Sequence, residues 1–192
     1  VPLADSAGAL AELLAAGKAR KIGVSNFNLE QLDTFHSVCP ISAFQPPYNM
    51  LQRQIERDTL PWCRERHVSV LVYWPLLKGL LAGQLARDHV FQPGDGRAKY
   101  PMFQGEEWQR NQDFVDALRA IARDSGRTVA EIVVNWTIEQ PGITAAICGA
   151  KRSDQIRESA SALTWKMPAD MRRRIDEALV ARGEPQVRGA VT

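Results

Sequence analysis

Four short apolar runs are spaced along this chain between longer segments of helical periodicity. The run at residues 68–72 shows little alternation of apolar and polar positions, which is typical of a strand covered on both faces. Strands that alternate with helices indicate parallel βα units. The predicted strands occupy residues 18–24, 41–44, 68–72 and 143–148.

Capping residues and glycines set the predicted helix boundaries. Asn28 with Gln31 forms a capping box, and Thr128 with Glu131 forms a second one. Gly126 ends the helix that precedes Thr128. Helices are predicted at residues 5–17, 28–38, 58–67, 106–125, 128–139, 153–163 and 168–181, the first capped by Asp5 or Ser6 and the sixth by Ser153.

Residues 76–106 interrupt this rhythm with five glycines, and with Pro75 just before them they bring three prolines. A loop of this length inside a compact domain is usually functional or mobile. No linker or low-complexity tract divides the chain, and 192 residues suit one ordinary domain. Residues 1–192 are therefore interpreted as a single domain.

Polar turns follow all four predicted strands. Ser25 and Asn26 follow the first strand, Gln45 the second and Tyr73 the third, and a basic turn at residues 149–152 follows the fourth. In parallel α/β architectures, ligands bind at the carboxyl ends of strands. The GxGxxG turn of a doubly wound nucleotide-binding sheet is missing after the first strand. This distribution indicates the rim of a (β/α) barrel, of which four strands make about half.

Composition and charge exclude several classes of partner. A net charge of +2 gives no support for a nucleic-acid partner. No apolar run approaches the ~18 residues of a membrane span, and the first residues lack the pattern of a signal peptide. The three cysteines lie far apart and form no CxxC pair, which favours neither disulfides nor a metal site. A cytoplasmic location is therefore predicted, with no nucleic-acid, membrane or metal partner.

Five ordered segments resemble the C-terminal half of the aldo-keto reductases: GKARKIGVSNF, FQPPYNMLQR, VLVYWPLLKGLLAGQ, TVAEIVVNW and ICGAKRSDQIRES. The resemblance runs over residues 1–163 and is nearest to the branch of the bacterial general-stress reductases and the β subunits of voltage-gated potassium channels. It implies a TIM (β/α)8 barrel, with this chain covering roughly the C-terminal half. It also implies NADPH-dependent reduction of aldehydes and ketones to alcohols, without a Rossmann domain.

The same resemblance implies a role for each strand end. Ser25, Asn26 and Gln45 would bind the nicotinamide carboxamide, and Tyr73 would stack on the nicotinamide ring. The diphosphate and ribose would be followed by Trp74, Pro75, Leu76 and Lys78, with Arg97 reaching the cofactor from the long loop. The adenosine and its 2′-phosphate would be held by Gly149, Lys151, Gln155, Glu158 and Ser159.

Three positions depart from the family pattern. Trp74 stands where many members have serine, Ser159 where asparagine is usual, and Gln155 where some branches have arginine. The preference for NADP over NAD therefore rests mainly on Lys151 and Arg152, which would stand at a helix N-terminus and favour an anion.

The resemblance places the family's catalytic tetrad of tyrosine, lysine, histidine and aspartate on the first four βα units, which this chain does not match. No histidine or tyrosine of the chain matches the tetrad, so no catalytic residue is predicted and the chain alone is expected to be inactive. The alternatives are a non-catalytic module that binds nicotinamide nucleotides or has a regulatory role, and an inactive truncated fragment.

A half barrel has two open strand edges, here near residues 22–24 and 145–148. Open apolar edges invite further strand pairing. Edge-to-edge self-association, or pairing with a missing N-terminal half, is therefore predicted. The natural carbonyl substrate and the oligomeric state do not follow from the sequence.

Overall fold

The structure is a computed structural model that describes residues 1–186 of the 192. Two compact units are present. The first is made of residues 1–48, 53–73 and 138–147, and the second of residues 49–52, 74–137 and 148–186. The interpretation of residues 1–192 as one domain stays a prediction.

A four-stranded parallel sheet forms the centre of the first unit. Its strands are β1 (Gly23–Ser25), β2 (Ala43–Gln45), β3 (Ser69–Tyr73) and β4 (Ala145–Ile147), and they neighbour one another in chain order. Val24 lies opposite Phe44, and Leu71 lies opposite Ala145. The parallel βα units predicted from the sequence are therefore present, with β1 and β4 as the outer strands.

Three helices pack in the first unit: α1 (Leu3–Ala15), α2 (Leu29–Val38) and α3 (Thr59–Glu65). The predicted capping box opens α2, because the Asn28 side chain accepts from the Gln31 amide and the Gln31 side chain accepts from the Asn28 amide, both at 2.9 Å. The predicted cap of α1 at Asp5 or Ser6 is wrong. This helix begins directly after Pro2, whose carbonyl accepts the Ser6 amide at 3.3 Å.

The other helices are α4 (Gly105–Ser125), α5 (Val129–Ile138), α6 (Ser153–Ser161) and α7 (Ala169–Arg182). Trp108, Phe114 and Leu118 of α4 are buried, as is Trp136 of α5. The long loop contains three short 3₁₀ helices, at Leu77–Ala82, Gly96–Lys99 and Pro101–Phe103. The predicted Thr128 capping box is present at the start of α5, with both hydrogen bonds to Glu131 formed.

Two predicted boundaries near the fourth strand are wrong. Ser153 is the first residue of α6 and Arg152 occupies the N-cap position. Strand β4 ends at Ile147, so Cys148 lies beyond the strand in the second unit.

Across residues 1–186, the structure contains no helix with both the length and the apolar character needed to cross a membrane.

Candidate functional site

The carboxyl ends of β1, β2 and β3 bring four predicted site residues together in the first unit. Ser25 lies opposite Gln45 in the strand register, and its hydroxyl donates to the Gln45 carbonyl oxygen at 2.7 Å. The Tyr73 hydroxyl donates to Asn26 Oδ1 at 2.8 Å. These four residues, Ser25, Asn26, Gln45 and Tyr73, are called the strand-end cluster below.

The backbone holds this cluster in place. Asn26 adopts a left-handed conformation with φ of 62°, which asparagine tolerates better than most residues, so the chain turns sharply where β1 ends. Both backbone groups of Tyr73 are bonded, since its amide donates to the Pro46 carbonyl and its carbonyl accepts from the Tyr48 amide, each at 3.1 Å. Tyr73 is therefore fixed at the end of β3.

The chemistry of the strand-end cluster is that of neutral donors and acceptors. Burial raises the pKa of the Tyr73 phenol, so the hydroxyl stays protonated at neutral pH. The amide side chains of Asn26 and Gln45 each carry two donor hydrogens and one acceptor oxygen, and Ser25, Asn26 and Gln45 are exposed. Such a set suits an uncharged ligand group that both donates and accepts, such as a carboxamide.

The turn that follows β3 lies in the second unit and is strained. Trp74, Leu77 and Lys78 have φ values of 59°, 42° and 54°, all in the left-handed region. Non-glycine residues held there cost free energy and are concentrated at functional sites. The turn is closed by two hydrogen bonds of 2.8 Å, from the Leu77 amide to Trp74 O and from the Gly79 amide to Leu76 O. This hydrogen-bonded turn therefore contains four predicted site residues: Trp74, Pro75, Leu76 and Lys78.

A cavity of about 440 Å³ in the second unit is called the basic cavity below. Gly79 borders Arg97, because a Cβ added to Gly79 would lie 3.7 Å from Arg97 Nη1. The cavity carries three cationic side chains against one carboxylate, which favours an anionic ligand. Its lining residues are Lys78, Asp95, Gly96, Arg97, Lys99, Tyr100 and Pro101.

Asp95 holds Arg97 in a fork-shaped ion pair. Arg97 Nε donates to both carboxylate oxygens at 3.0 Å, and Nη2 donates to Oδ2 at 2.6 Å. Asp95 Oδ1 also accepts from the Arg97 amide at 2.9 Å. These hydrogen bonds from Arg97 lower the pKa of the Asp95 carboxyl to about 2.

The Asp95 carboxyl is expected to titrate near pH 2, and replacing Arg97 with alanine should return its pKa toward 3.8. Because the folded pKa is depressed, the pair contributes to stability above the ordinary carboxyl pKa and loses that contribution as the pH falls through about 2. Carboxyl ¹³C NMR titration of both proteins measures this. Equal midpoints near 4 would show that the pair does not form in solution.

The predicted adenosine segment starts at Gly149 and continues into α6. Gln155 Oε1 accepts from the amides of Lys151 and Arg152, at 2.7 and 3.2 Å, so this side chain bonds the two residues that precede α6. The Arg152 guanidinium is paired with Asp154, with Nη2 3.0 Å from Oδ2. Lys151 and Arg152 were predicted to bind an anion together. The charge of Arg152 is therefore partly offset by the Asp154 carboxylate.

The other predicted residues of this segment either border open space or lie next to hydrogen bonds between neighbouring residues. Gly149 has no atom within 4 Å of the position a Cβ would take, which leaves space for a ligand beside it. Ser159 hydrogen-bonds the Cys148 side chain, and burial raises the pKa of that thiol. The Glu158 carbonyl accepts from Ser161 Oγ at 2.6 Å, a bond within the helix.

The structure thus groups the predicted residues in three places: the strand-end cluster, the turn after β3 with the basic cavity, and the start of α6. Five lining residues of the basic cavity were not predicted from the sequence, and three of them, Asp95, Lys99 and Tyr100, have polar side chains. The spacing Asp95-Gly96-Arg97 carried a usable signal, since an aspartate readily accepts from the backbone amide two residues on. Tyr100 carried no sequence signal of its own.

A parallel sheet in chain order, with helices between its strands and polar groups at its carboxyl edge, is the architecture of (β/α) barrel proteins. The family model for the aldo/keto reductase family matches residues 1–180. The chain belongs to the aldo/keto reductase family, whose members are oxidoreductases that use nicotinamide cofactors and act on small carbonyl compounds. The predicted family is confirmed.

Known proteins support this assignment along most of the chain. The aldo-keto reductase YhdN of Bacillus subtilis (strain 168) is 34% identical over 180 residues, which are 93% of this chain and 54% of that protein. The NADH-specific methylglyoxal reductase of Escherichia coli (strain K12) is 30% identical over 181 residues, 93% of this chain and 55% of that protein. The chain spans about half the length of these relatives.

A solved structure gives the same result. The glycerol dehydrogenase AKR11B4 from Gluconobacter oxydans superimposes with a TM-score of 0.89 at 31% identity, covering 100% of this chain and 58% of that one. The predicted fold class is therefore confirmed, and the chain is a partial TIM barrel.

Proposed function

We propose that this chain supplies the cofactor-binding part of an NADP-dependent aldo-keto reductase that reduces aldehydes or ketones to alcohols. The strand-end cluster is the observation that carries the proposal, because it joins amide, hydroxyl and aromatic groups at the carboxyl ends of three neighbouring strands. When bound, the reduced nicotinamide supplies a hydride for the carbonyl carbon of the substrate.

The residues present fit a nicotinamide dinucleotide. Asn26, Gln45 and Ser25 would bind the carboxamide, because their side chains match both its donor and its acceptor atoms. Tyr73 would offer its ring to the nicotinamide, and the Tyr73–Asn26 hydrogen bond fixes that ring and the neighbouring amide with respect to each other. The cluster would therefore orient the reactive end of the cofactor.

The basic cavity fits the diphosphate group. Lys78 and Arg97 line it and would neutralise the phosphate charge. Trp74, Pro75 and Leu76 form the turn from which Lys78 projects, and their backbone would follow the diphosphate and ribose. Hydride transfer needs a fixed nicotinamide, and a bound diphosphate limits its movement.

The adenosine end decides between NADP and NAD. Lys151 supports NADP, since a 2′-phosphate prefers a cation, while Asp154 opposes it by engaging Arg152. Gly149, Gln155, Glu158 and Ser159 would complete this end of the site. The E. coli relative is named as NADH-specific, so binding should be compared for both cofactors, with NADPH proposed as the tighter ligand.

Three further proposals concern the chain as a separate polypeptide. We propose that it is inactive alone, because proton donation to the alkoxide typically contributes 10²–10⁴-fold and no residue here is assigned to it. Binding of NADPH without reduction of 4-nitrobenzaldehyde is expected, whereas robust turnover would contradict this proposal. A cytoplasmic location and pairing through the outer strands β1 and β4 also remain proposals.

Replacing Asn26 with alanine should weaken binding of NADPH about 3- to 10-fold, the value of one to two hydrogen bonds. Replacing Tyr73 with alanine should weaken it about 10-fold, because a stacking platform is lost. Isothermal titration calorimetry with NADPH and NADH measures both effects.

Asn28→Ala is the matched control. Asn28 lies two residues beyond Asn26 and caps α2, so its loss should cost stability, about 1 kcal/mol, and leave the affinity within about 2-fold. Equal affinities for wild type, Asn26→Ala and Tyr73→Ala would refute the role of the strand-end cluster.

A further inference from the structure

The ammonium group of Lys78 lies between two aromatic rings in the second unit. Lys78 Nζ is 4.1 Å from the centroid of the Trp74 ring and 4.6 Å from the centroid of the Tyr100 ring. The two rings are 6.1 Å apart and nearly perpendicular, at 88°. Each distance is within the range of a cation–π interaction, and tryptophan offers the strongest ring face for a cation.

The backbone imposes this arrangement. Trp74 and Lys78 are both left-handed, with φ values of 59° and 54°, and the hydrogen bond from the Leu77 amide to Trp74 O closes the chain between them. The strained turn therefore directs the Lys78 side chain back over the Trp74 ring. Tyr100 comes from the long loop, so the ammonium links that loop to the turn after β3.

The two main cations of the basic cavity are held in different ways. Arg97 is paired with Asp95, and the carboxylate cancels much of its charge. Lys78 is held by rings, which fix the position of the ammonium while leaving its net positive charge in place. An arriving phosphate therefore competes with Asp95 for Arg97 but meets the full charge of Lys78.

We propose that Trp74 and Tyr100 act as an aromatic clamp that positions the Lys78 ammonium in the basic cavity to bind the diphosphate group of the cofactor. The proposal rests on the proposed function and extends it to two positioning residues, of which Tyr100 had no assigned role. It also explains why the chain carries a tryptophan at position 74, since a small hydroxyl there could not hold the ammonium.

Calorimetric titration of the 192-residue chain with inorganic diphosphate and with NADPH tests the clamp. Lys78→Met should weaken binding of both ligands about 10-fold, because one phosphate contact is lost. Tyr100→Leu should weaken both about 2- to 5-fold, the factor that corresponds to an exposed cation–π contact. Tyr100→Phe keeps the ring face and should restore the affinity to within about 1.5-fold of wild type.

Two controls separate positioning from folding. Lys166→Met removes an exposed lysine outside the basic cavity and should leave both affinities unchanged. Trp165→Leu removes the ring that lies 4.3 Å from the Arg127 guanidinium, a similar contact elsewhere, and should also leave diphosphate binding unchanged. Circular dichroism checks that each variant is folded.

The outcomes distinguish the clamp from the proposed function. If the wild type binds NADPH, and Tyr100→Leu binds it as tightly and with the same salt dependence, the clamp alone is overturned. Wild type that binds diphosphate in a Tyr100-dependent manner but does not bind NADPH supports the clamp and refutes the proposed function. Wild type that binds neither ligand refutes both. If Tyr100→Leu does not fold, Trp74→Leu removes the other ring of the clamp and should weaken diphosphate binding by a similar factor, whereas unchanged binding overturns the clamp.

Discussion

Replacing Arg182 with methionine is expected to lower the free energy of unfolding by about 3–5 kcal/mol. The Arg182 side chain is fully buried, and its guanidinium pairs with the Glu107 carboxylate, which is also buried. Arg182 Nη2 and Nε also donate to Asn111 Oδ1, at 2.8 and 3.1 Å. Methionine fills a similar volume, so the main effect is that the buried Glu107 carboxylate loses its cationic partner. Among the residues that the structure describes, this carboxylate keeps only the Gln186 amide as a donor, at 3.0 Å.

The control for this prediction lies on the same helix. Arg173 of α7 pairs with Glu177 one turn away, and both side chains are more than 60% exposed. Arg173→Met should therefore change the free energy of unfolding by no more than about 0.5 kcal/mol. Urea denaturation of both variants measures the difference, and similar losses for the two would show that the buried pair does not act as described.

Replacing Gly83 with alanine is expected to lower the free energy of unfolding by about 2–4 kcal/mol, because a strained backbone and an overpacked contact both contribute. Gly83 has a φ of 75°, and an added Cβ would lie 2.9 Å from the Cβ of Val129. A valine at the start of α5 cannot rotate this atom away. The Gly83 carbonyl also accepts from Arg119, at 3.0 and 3.1 Å, so the turn has little freedom to move.

Gly126→Ala separates the two contributions. Gly126 has a similar φ of 65°, but no atom lies within 4 Å of the position its Cβ would take. Only the backbone cost should appear, about 1 kcal/mol. In thermal denaturation, the melting temperature of Gly83→Ala should lie well below that of Gly126→Ala. Equal melting temperatures would mean that the Val129 contact relaxes at no cost in free energy.

Local signals in the sequence were sufficient for most of the helical framework. The capping boxes at Asn28 and Thr128 depend only on residues three positions apart, and both are present. The predicted strands were too long at their N-terminal ends, because exposed residues such as Lys21 precede the point where pairing begins at Gly23. Apolar content indicates a strand, but its first residue depends on the partner strand.

The candidate site likewise has parts that the sequence predicts and parts that it does not. The order of the strands placed Ser25, Asn26, Gln45 and Tyr73 together because the carboxyl ends of parallel strands share one edge. The pairing of Arg152 with Asp154 and the bond of Gln155 to the Lys151 amide depend on side-chain rotamers, which residue types alone do not fix. Contacts between distant segments, such as Lys78 with Tyr100, require the tertiary structure.

The central claim, that the strand-end cluster binds the nicotinamide, is tested most directly by NMR of side-chain amides. The Asn26 and Gln45 NH₂ signals should shift as NADPH is added, while the Asn135 signal should stay, because that amide donates to the carbonyls of Ala162 and Trp165 in the second unit. NADPH binding that leaves the Asn26 and Gln45 signals unmoved would contradict the account.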